Sequence, residues 1–218
     1  QLEMTGGAGG DAAPEALQII ADQADRAVRL VRHIRGFARR DGEPARELDL
    51  HAAGSNALAL ADIEARRHSV TVHTRLAPAL PPVRGVQLEL EQVTLNLLRN
   101  AIQALQRSDT WPRDLLVHSL ADDDDGGGVR VSVCDNGPGI APEIGARLFQ
   151  AFATTRPDGL GLGLSLSRQL VDAAEGRIEA WNLADERRAG TPPDAPARGA
   201  CFSVWLPTAA ARAAQGGA

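Results

Sequence analysis

The sequence predicts an α+β fold preceded by a long coiled-coil-like helix, and three patterns predict it. Apolar residues recur at alternating steps of three and four from Leu17 to Ala38, as in the seam of a coiled coil or helical bundle. The segment from Gln87 to Gln106 has an apolar and a polar face at helical spacing. Residues 70–72 and 129–133 alternate apolar and polar side chains, as half-buried strands do.

The N-terminal part of the chain is expected to consist of three segments. A Gly-rich start over 1–13 predicts a flexible segment, and Pro14 suits the first turn of the helix predicted over 14–41. An Asp-Gly-Glu-Pro run ends that helix, so that 42–49 is predicted to be a linker.

The longer part of the chain, 50–208, predicts one domain in which helices and strands follow each other. Helices are predicted over Leu50 to Arg67, over Gln87 to Gln106 and from the glycine run at 159–165 to Glu175. Strands are predicted near residues 70–72, 115–119, 129–133, 177–181 and 200–206. Residues 209–218 are predicted to form a disordered tail.

The charge of the chain argues against nucleic acid as a partner. The 218 residues carry a net charge of -5 with a sequence pI of about 5.5, and the basic residues are scattered. A protein that follows a nucleic-acid backbone needs a clustered basic surface. Any anionic ligand must therefore be held by a local arrangement of groups.

Membrane contact is expected only through a region upstream of this sequence. No apolar run approaches the roughly 18–20 residues of a membrane-spanning helix. Because the sequence opens at Gln1 and not at methionine, we expect a fragment of a longer, possibly membrane-anchored sensor whose catalytic portion is cytoplasmic.

The two cysteines are expected to be buried free thiols. Cys134 and Cys201 both fall in predicted strands and lack the spacing of metal ligands, so no zinc site is predicted. Free thiols indicate a reducing compartment, and a disulfide is the alternative.

A polar face on the helix from Gln87 is the first candidate for chemistry. Its members follow helical spacing: Gln92, Asn96, Arg99, Asn100 and Gln103. Asparagine is a poor helix former, and two asparagines one turn apart can offer amide oxygens to a hard cation such as Mg²⁺. The alternative is an ordinary solvated helix face.

Two glycine-containing segments are the other candidates. Asp135-Asn136-Gly137-Pro138-Gly139 follows a predicted strand, where a carboxylate can accept a hydrogen bond from an exocyclic amino group such as that of adenine. The alternative is an ordinary turn. The run from Gly159 to Ser165 opens a helix whose backbone N–H groups suit phosphates, although it matches neither a Walker loop nor a Rossmann fingerprint.

Five motifs stand in one order along the chain: NLLRNA at 96–101, DNGPG at 135–139, LFQAFATT at 148–155, GLGLGLS at 159–165 and GACF at 199–202. Together they closely resemble the N box, the glycine boxes, the F box and the last box of the catalytic domain of sensor histidine kinases, a branch of the GHKL ATPases. The seam at 17–38 looks like the second helix of the dimerisation and phosphotransfer unit of that family. The wording HIRGFARR and FATTRPDGLGLGLS is most similar to nitrogen-fixation and dicarboxylate sensor kinases.

The resemblance implies a fold, ligands and site residues. The fold is a two-layer α/β sandwich, the Bergerat fold, in which a mixed sheet packs on helices. ATP and Mg²⁺ are the implied ligands, with Asp135 at the adenine amino group and Asn96 and Asn100 at the metal. The other implied ATP contacts are Arg99, Gln103, Gly137, Gly139, Ile140, Thr155, Gly161, Leu162, Gly163 and Leu164. Residues 140–160 would form a lid over ATP, and Arg156 is a candidate for stabilising charge during phosphoryl transfer.

The resemblance also implies the reaction. ATP would give its γ-phosphoryl group to a histidine and then to an aspartate of a response-regulator receiver domain. Asn96 occupies the position of a glutamate that activates water in related gyrase-type ATPases, so that hydrolysis is expected to be slow. The alternatives are an ATP-dependent conformational clamp, or a degenerate domain that only binds partners, because Ala200 and Cys201 replace a threonine that supports Asp135 in the family.

The phosphoacceptor histidine is expected to lie outside this sequence. In the family it is followed by an acidic residue, and none of the five histidines is: His33, His51, His68, His73 and His118. We therefore expect the chain to bind nucleotide without phosphorylating itself, and to form a homodimer through the helix at 14–41.

Overall fold

The computed structural model describes residues 44–122, 127–155, 159–188 and 191–215. The predicted flexible segment 1–13 and the predicted helix 14–41 lie outside the described residues. The structural statements that follow concern the described part of the chain.

Helices and strands follow each other along the described chain. In order they are β1 (Arg46–Leu48), α1 (Leu50–Arg67), β2 (Val70–Arg75), β3 (Val83–Gly85), α2 (Gln87–Gln106), β4 (Arg113–Asp122), β5 (Gly128–Asp135), α3 (Pro142–Gly145), α4 (Gly163–Ala173), β6 (Arg177–Asn182), β7 (Ala200–Pro207) and α5 (Ala209–Gln215). The predicted bounds of α1 and α2 are confirmed.

The strands form a five-stranded sheet in the order β2-β4-β5-β7-β6 and a separate pair, β1-β3. β2 runs parallel to β4, whereas β4, β5, β7 and β6 pair antiparallel in turn. A mixed sheet that packs on helices is the predicted α+β, two-layer fold, which is thereby confirmed.

The helices cover one face of the five-stranded sheet. α2 packs against α1 and α4, and its Leu97, Leu98 and Ile102 are fully buried. Val129 and Val133 of β5 join the same core, because alternate residues of a strand point to one face. Each fully buried leucine, isoleucine or valine contributes roughly 1.5–3 kcal/mol of hydrophobic stabilisation.

The cysteine prediction was wrong, because Cys134 and Cys201 form a disulfide. They are direct partners in the β5–β7 ladder, with a Cα–Cα distance of 4.0 Å. Both lie on the sheet face opposite the helices, in a small cluster with Trp181. The two strands were predicted, but their pairing across 67 positions of sequence was not.

The structure also differs from prediction at two segments expected to be irregular. Within the predicted linker 42–49, β1 pairs with β3 and buries Leu48. Within the predicted tail 209–218, α5 forms because the Thr208 hydroxyl accepts a hydrogen bond from the N–H of Ala211, at 3.0 Å. Arg212 then reaches Glu175 and the carbonyl oxygen of Arg84. Sequence patterns did not reveal these contacts because their partners are far away along the chain.

Glu175, which follows α4, gives a first testable prediction. Its backbone is left-handed, with φ of 60°, a conformation that glycine adopts without penalty. We expect Glu175→Gly to unfold at higher urea concentration than Glu175→Ala, by about 1 kcal/mol in the free energy of unfolding. Both variants lose the contact with Arg212, so that their difference isolates the backbone. Equal stability of the two variants would contradict this explanation.

Candidate nucleotide site

Asp135 is the buried carboxylate of the predicted site. It ends β5 and is only 1% exposed. Its Oδ1 accepts hydrogen bonds from the N–H of Gly137 at 2.9 Å and of Ala200 at 3.5 Å. Within the described residues no hydrogen bond reaches the second oxygen, Oδ2. Asp135 therefore retains an acceptor for a ligand.

Burial raises the pKa of Asp135 to about 6, and the two backbone N–H groups lower it by a smaller amount. The carboxyl is therefore mostly ionised at neutral pH but close to its titration range. An ionised carboxylate is a stronger acceptor than a neutral acid for an amino group.

Asn182, at the end of β6, fixes the glycine turn that follows Asp135. Its Oδ1 accepts the N–H of Ile140 at 2.6 Å, and its Nδ2 donates to the carbonyl oxygen of Ile140 at 3.2 Å. A Cβ on Gly139 would lie 2.6 Å from the same Oδ1. Sequence reasoning missed Asn182, because it belongs to no motif and lies 42 positions from its partner.

We expect Asn182→Ala to lower the affinity for Mg-ADP about tenfold and to cost about 1–3 kcal/mol of stability, since it removes both partners of the Ile140 backbone. The matched control is Asp185→Ala, which loses a contact with Asn182 Nδ2 but leaves the bonds to Ile140 in place. Calorimetric titration and urea unfolding measure the two effects. If both variants bound Mg-ADP like the parent chain, Asn182 would have no positioning role.

Asn96 joins α2 to the start of α4. Its Nδ2 lies 3.3 Å from both the carbonyl oxygen of Gly163 and the hydroxyl of Ser167, and its Oδ1 accepts from Gln92 Nε2 at 3.1 Å. Asn100 is half-buried one turn further along α2. Positions four apart on a helix are neighbours, so that the two amides share one side of α2.

The other predicted residues of α2 are divided between two environments. The Nε of Arg99 lies 3.0 Å from Oε2 of Glu64, so that Arg99 forms an ion pair with α1. Gln103 is half-buried further along the helix. The polar face predicted from spacing therefore does not act as one surface, because part of it joins two helices.

The second glycine segment shapes the start of α4. Gly161 has φ of 63°, and a Cβ there would lie 2.5 Å from the backbone carbon of Phe152. The N–H of Phe152 donates to the carbonyl oxygen of Gly161 at 2.9 Å. Leu162 is buried and Leu164 packs against the core, whereas no side chain caps the first N–H groups of α4. Uncapped N–H groups at a helix start are suited to bind phosphate.

α2 connects the two ends of the candidate site. Asn96 lies beside Gly163 at the start of α4, and Leu105 lies beside Gly137, where a Cβ would be 3.4 Å from its Cδ2. Nine residues of helix span about 14 Å. The carboxylate and the helix start are therefore separated along α2 by a distance comparable to the length of a nucleoside diphosphate.

The segment predicted to be a lid contains α3 and exposed side chains. Phe152 is 75% exposed with φ of 64°, and Thr155 is exposed. Thr155 lines a cavity of about 190 Å³ together with Arg147 and Phe152. Arg156 lies outside the described residues.

A cavity of about 540 Å³ lies elsewhere, among residues of β2, β4 and the segment 194–198. Its charged groups are joined to one another: Arg75 to Asp194 and His73 to Asp114, each at 3.1 Å. It contains none of the predicted ligand contacts. We therefore assign the candidate site by its chemistry and not by cavity size.

The described histidines have places within the fold. His51 Nε2 lies 2.8 Å from the hydroxyl of Ser119, and His73 pairs with Asp114. His68 ends α1, and burial lowers the pKa of His118. His33 lies outside the described residues. No helix in the described part of the chain is long and apolar enough to cross a membrane.

Comparison with known proteins places these features in a family. The family described as histidine kinase-, DNA gyrase B- and HSP90-like ATPase matches residues 85–210. Sensor protein FixL of Bradyrhizobium diazoefficiens is 34% identical over 89% of this chain, and the C4-dicarboxylate transport sensor protein DctS of Rhodobacter capsulatus is 30% identical over 88%. The chain spans 35% of FixL and 27% of DctS.

A solved structure shares the fold. The full-length histidine kinase-like protein titled ShkA, in complex with AMPPNP, has a TM-score of 0.65 and 26% identity. The match covers 94% of this chain and 40% of ShkA.

Proposed function

Because the chain belongs to the family of histidine kinase-, DNA gyrase B- and HSP90-like ATPases and carries the catalytic domain of a sensor histidine kinase, we propose that it binds Mg-ATP and transfers the γ-phosphoryl group to a histidine. The observation that carries this proposal is the buried carboxylate of Asp135, which has an oxygen available as acceptor beside a glycine turn. The resemblance of the flanking motifs supports it.

Adenine recognition rests on Asp135 and the turn after it. Its Oδ2 accepts a hydrogen bond from the exocyclic amino group, while Oδ1 stays on the N–H of Gly137. Glycines at 137 and 139 keep side chains away from the flat ring. Ile140, which packs against the core, supplies an apolar contact beside it. Guanine has a carbonyl oxygen in place of that amino group, so that the ionised carboxylate disfavours it.

The phosphates are proposed to lie at the start of α4. Backbone N–H groups of Gly161, Leu162, Gly163 and Leu164 donate to phosphate oxygens, helped by the positive end of the helix dipole. Side chains at these positions are absent or turned into the core, which leaves the backbone accessible.

Asn96 and Asn100 are proposed to hold Mg²⁺ through their amide oxygens. The donor set fits a hard cation, since Mg²⁺ takes oxygen ligands and keeps waters and phosphate oxygens in its other positions. Asn96 Oδ1 already accepts from Gln92 and has a second lone pair for the metal. Bound Mg²⁺ neutralises charge on the phosphates. Arg99, Gln103 and Thr155 remain proposed contacts, and Arg156 a proposed charge stabiliser.

The proposed reaction is transfer and not rapid hydrolysis. A side-chain amide cannot remove a proton from water near neutral pH, so that Asn96 provides no general base. The γ-phosphoryl group is then kept for an imidazole nitrogen held by another part of the protein. Phosphoryl transfer depends mainly on positioning and charge stabilisation, which the backbone at α4 and the two asparagines supply.

The proposed partners follow from this reaction. A response-regulator receiver domain takes the phosphoryl group from the histidine, and the helix predicted at 14–41 joins two copies of the chain. The proposed location is the cytoplasm, where ATP is available.

The test is incubation of the chain with γ-labelled ATP and a histidine-bearing dimerisation domain supplied separately. We expect acid-labile, alkali-stable label on that domain, and none with Asp135→Asn. Rapid phosphate release without label transfer would favour an ATP-dependent clamp instead. Absence of nucleotide binding would favour a degenerate binding module.

A further inference from the structure

The disulfide between Cys134 and Cys201 lies one residue from both strand residues that meet at the candidate adenine carboxylate. Cys134 precedes Asp135 at the end of β5, and Cys201 follows Ala200 at the start of β7. Asp135 is thus flanked on one strand by the sulfur of Cys134, and its partner N–H on Ala200 is flanked by that of Cys201. A covalent link here fixes the spacing of the two strands beside the ligand site.

The strands meet tightly at this point. A Cβ on Gly199 would lie 1.9 Å from the carbonyl oxygen of Asp135, which leaves little room between the backbones. The hydrogen bond from the N–H of Ala200 to Asp135 Oδ1 is long, at 3.5 Å. Since alanine has no hydroxyl, the support that β7 gives to the carboxylate depends on where its backbone lies. A small increase in strand separation would remove that support.

The bridge lies on the sheet face opposite the helices, under a small cover. Cys134 and Cys201 have no exposed surface, and Trp181, Leu183 and Ala195 pack with them. Leu183 and Ala195 belong to the segment between β6 and β7, whose start is held by a bond from the Leu183 N–H to the carbonyl oxygen of Gly199, at 2.9 Å. The bridge is therefore reached from the face that carries no part of the candidate nucleotide site.

We propose that Cys134 and Cys201 form a reversible thiol–disulfide site that controls nucleotide affinity, with the bridged form binding adenine nucleotide more tightly. The inference rests on the proposed nucleotide site. Loss of the bridge frees β7 to move away from β5, so that the N–H of Ala200 leaves Asp135. In a reducing compartment a disulfide is usually transient and redox-sensing, which fits a bond placed beside a ligand contact.

The chemistry balances as thiol–disulfide exchange. A thiolate of a dithiol reductant attacks one sulfur of the bridge, the S–S bond breaks, and the other cysteine leaves as a thiolate that takes a proton. The second thiol of the reductant then attacks the mixed disulfide, which releases the second protein thiol. Two electrons and two protons pass to the protein sulfurs, and the reductant becomes a disulfide. A low-molecular-weight disulfide reverses both steps.

The alternative role of the bridge is purely structural. A structural bridge changes the stability of the fold when it is reduced but leaves the affinity of the folded protein for nucleotide unaltered. Affinity must therefore be measured under conditions in which both forms are folded, and circular dichroism verifies this before each titration.

The experiment compares Mg-ADP binding to the whole chain in three states: bridged, reduced by dithiothreitol, and reoxidised by oxidised glutathione. Thiol alkylation followed by mass spectrometry verifies each state. We expect reduction to weaken binding about tenfold, equivalent to about 1.4 kcal/mol, and reoxidation to restore it. We also expect the pH below which binding is lost to rise on reduction, because the carboxylate loses an N–H donor.

The matched control is the double variant Cys134→Ala/Cys201→Ala, whose affinity should not respond to dithiothreitol. The three-state comparison on the unaltered chain needs no variant, so that a poorly folded control does not affect it. Equal affinity in the bridged and reduced states would overturn the inference and leave the nucleotide site intact. Absence of binding in every state would overturn the proposed function as well, and failure of the two cysteines to form a bridge would overturn the inference alone.

Discussion

Asp135→Asn is expected to remove adenine-nucleotide binding and, at the same time, to make the free protein more stable at neutral pH. Asparagine keeps an oxygen for the N–H groups of Gly137 and Ala200. It also points an N–H group at the adenine amino group, which is itself a donor, and it loses the negative charge. We expect affinity for Mg-ADP to fall at least about 100-fold, which corresponds to about 2.7 kcal/mol.

The stability gain follows from the sign of the pKa change. Burial raises the pKa of Asp135 from 3.8 to about 6, so that the folded protein holds this proton more tightly than the unfolded chain. The resulting stabilisation is complete below the unfolded value and is lost as pH rises through about 6. At neutral pH the buried charge therefore costs roughly 3 kcal/mol, at 1.36 kcal/mol per pKa unit.

Urea unfolding of the parent chain and Asp135→Asn across the acid range measures this effect. The variant should be more stable near neutrality, and its advantage should shrink as the pH falls below about 6 and vanish below the unfolded value. The control is Asp194→Asn, whose carboxylate pairs with Arg75 and is largely exposed. It should leave nucleotide affinity unchanged. An Asp135→Asn variant that binds Mg-ADP normally would contradict the assigned role.

Gly199→Ala is expected to have the largest effect on the fold itself. Gly199 has φ of 106°, and an added Cβ would lie 1.9 Å from the carbonyl oxygen of Asp135 and 2.9 Å from the Cα of Asn136. Backbone atoms cannot yield as a flexible side chain can, so that β7 must shift away from β5. We expect a loss of at least about 3 kcal/mol of stability together with nucleotide binding.

The matched control for this substitution is Gly127→Ala. Gly127 also has a positive φ, 97°, but an added Cβ would meet no atom within 4 Å in the described part of the chain. It should cost only about 1 kcal/mol, from backbone conformation alone. Urea unfolding of both variants separates strain from collision. Equal losses would contradict the tight contact between Gly199 and Asp135.

Local patterns predicted most of the regular structure because each depends on neighbours in sequence. α2 repeats its apolar face over its whole length, and the alternation in β5 is interrupted by no glycine or proline within the strand. β1 was missed since three residues give too short a pattern, and only its pairing with β3 makes it a strand. The disulfide was missed for the same reason, because pairing of β5 with β7 is not encoded locally.

The candidate site was predicted to a different extent. Motif order identified Asp135, Asn96 and the glycine segments, and the structure puts Asn96 beside Gly163 and Asp135 beside Gly137. The roles of these residues toward a ligand stay predictions. Asn182 was beyond reach, since an isolated asparagine at a strand end has no distinguishing pattern. Arg99 shared the helical spacing of the site, but Glu64 on α1 competes for it.

Calorimetric titration of the chain with Mg-ADP and, in parallel, with Mg-GDP tests the central claim most directly. The claim is that a buried, ionised Asp135 reads the amino group of adenine at the end of β5. At a pH well above the pKa of Asp135 we expect saturable one-to-one binding of Mg-ADP and at least about 100-fold weaker binding of Mg-GDP, since a carboxylate facing a carbonyl oxygen is left without a donor. Equal affinity for the two nucleotides, or no binding of Mg-ADP, would contradict it.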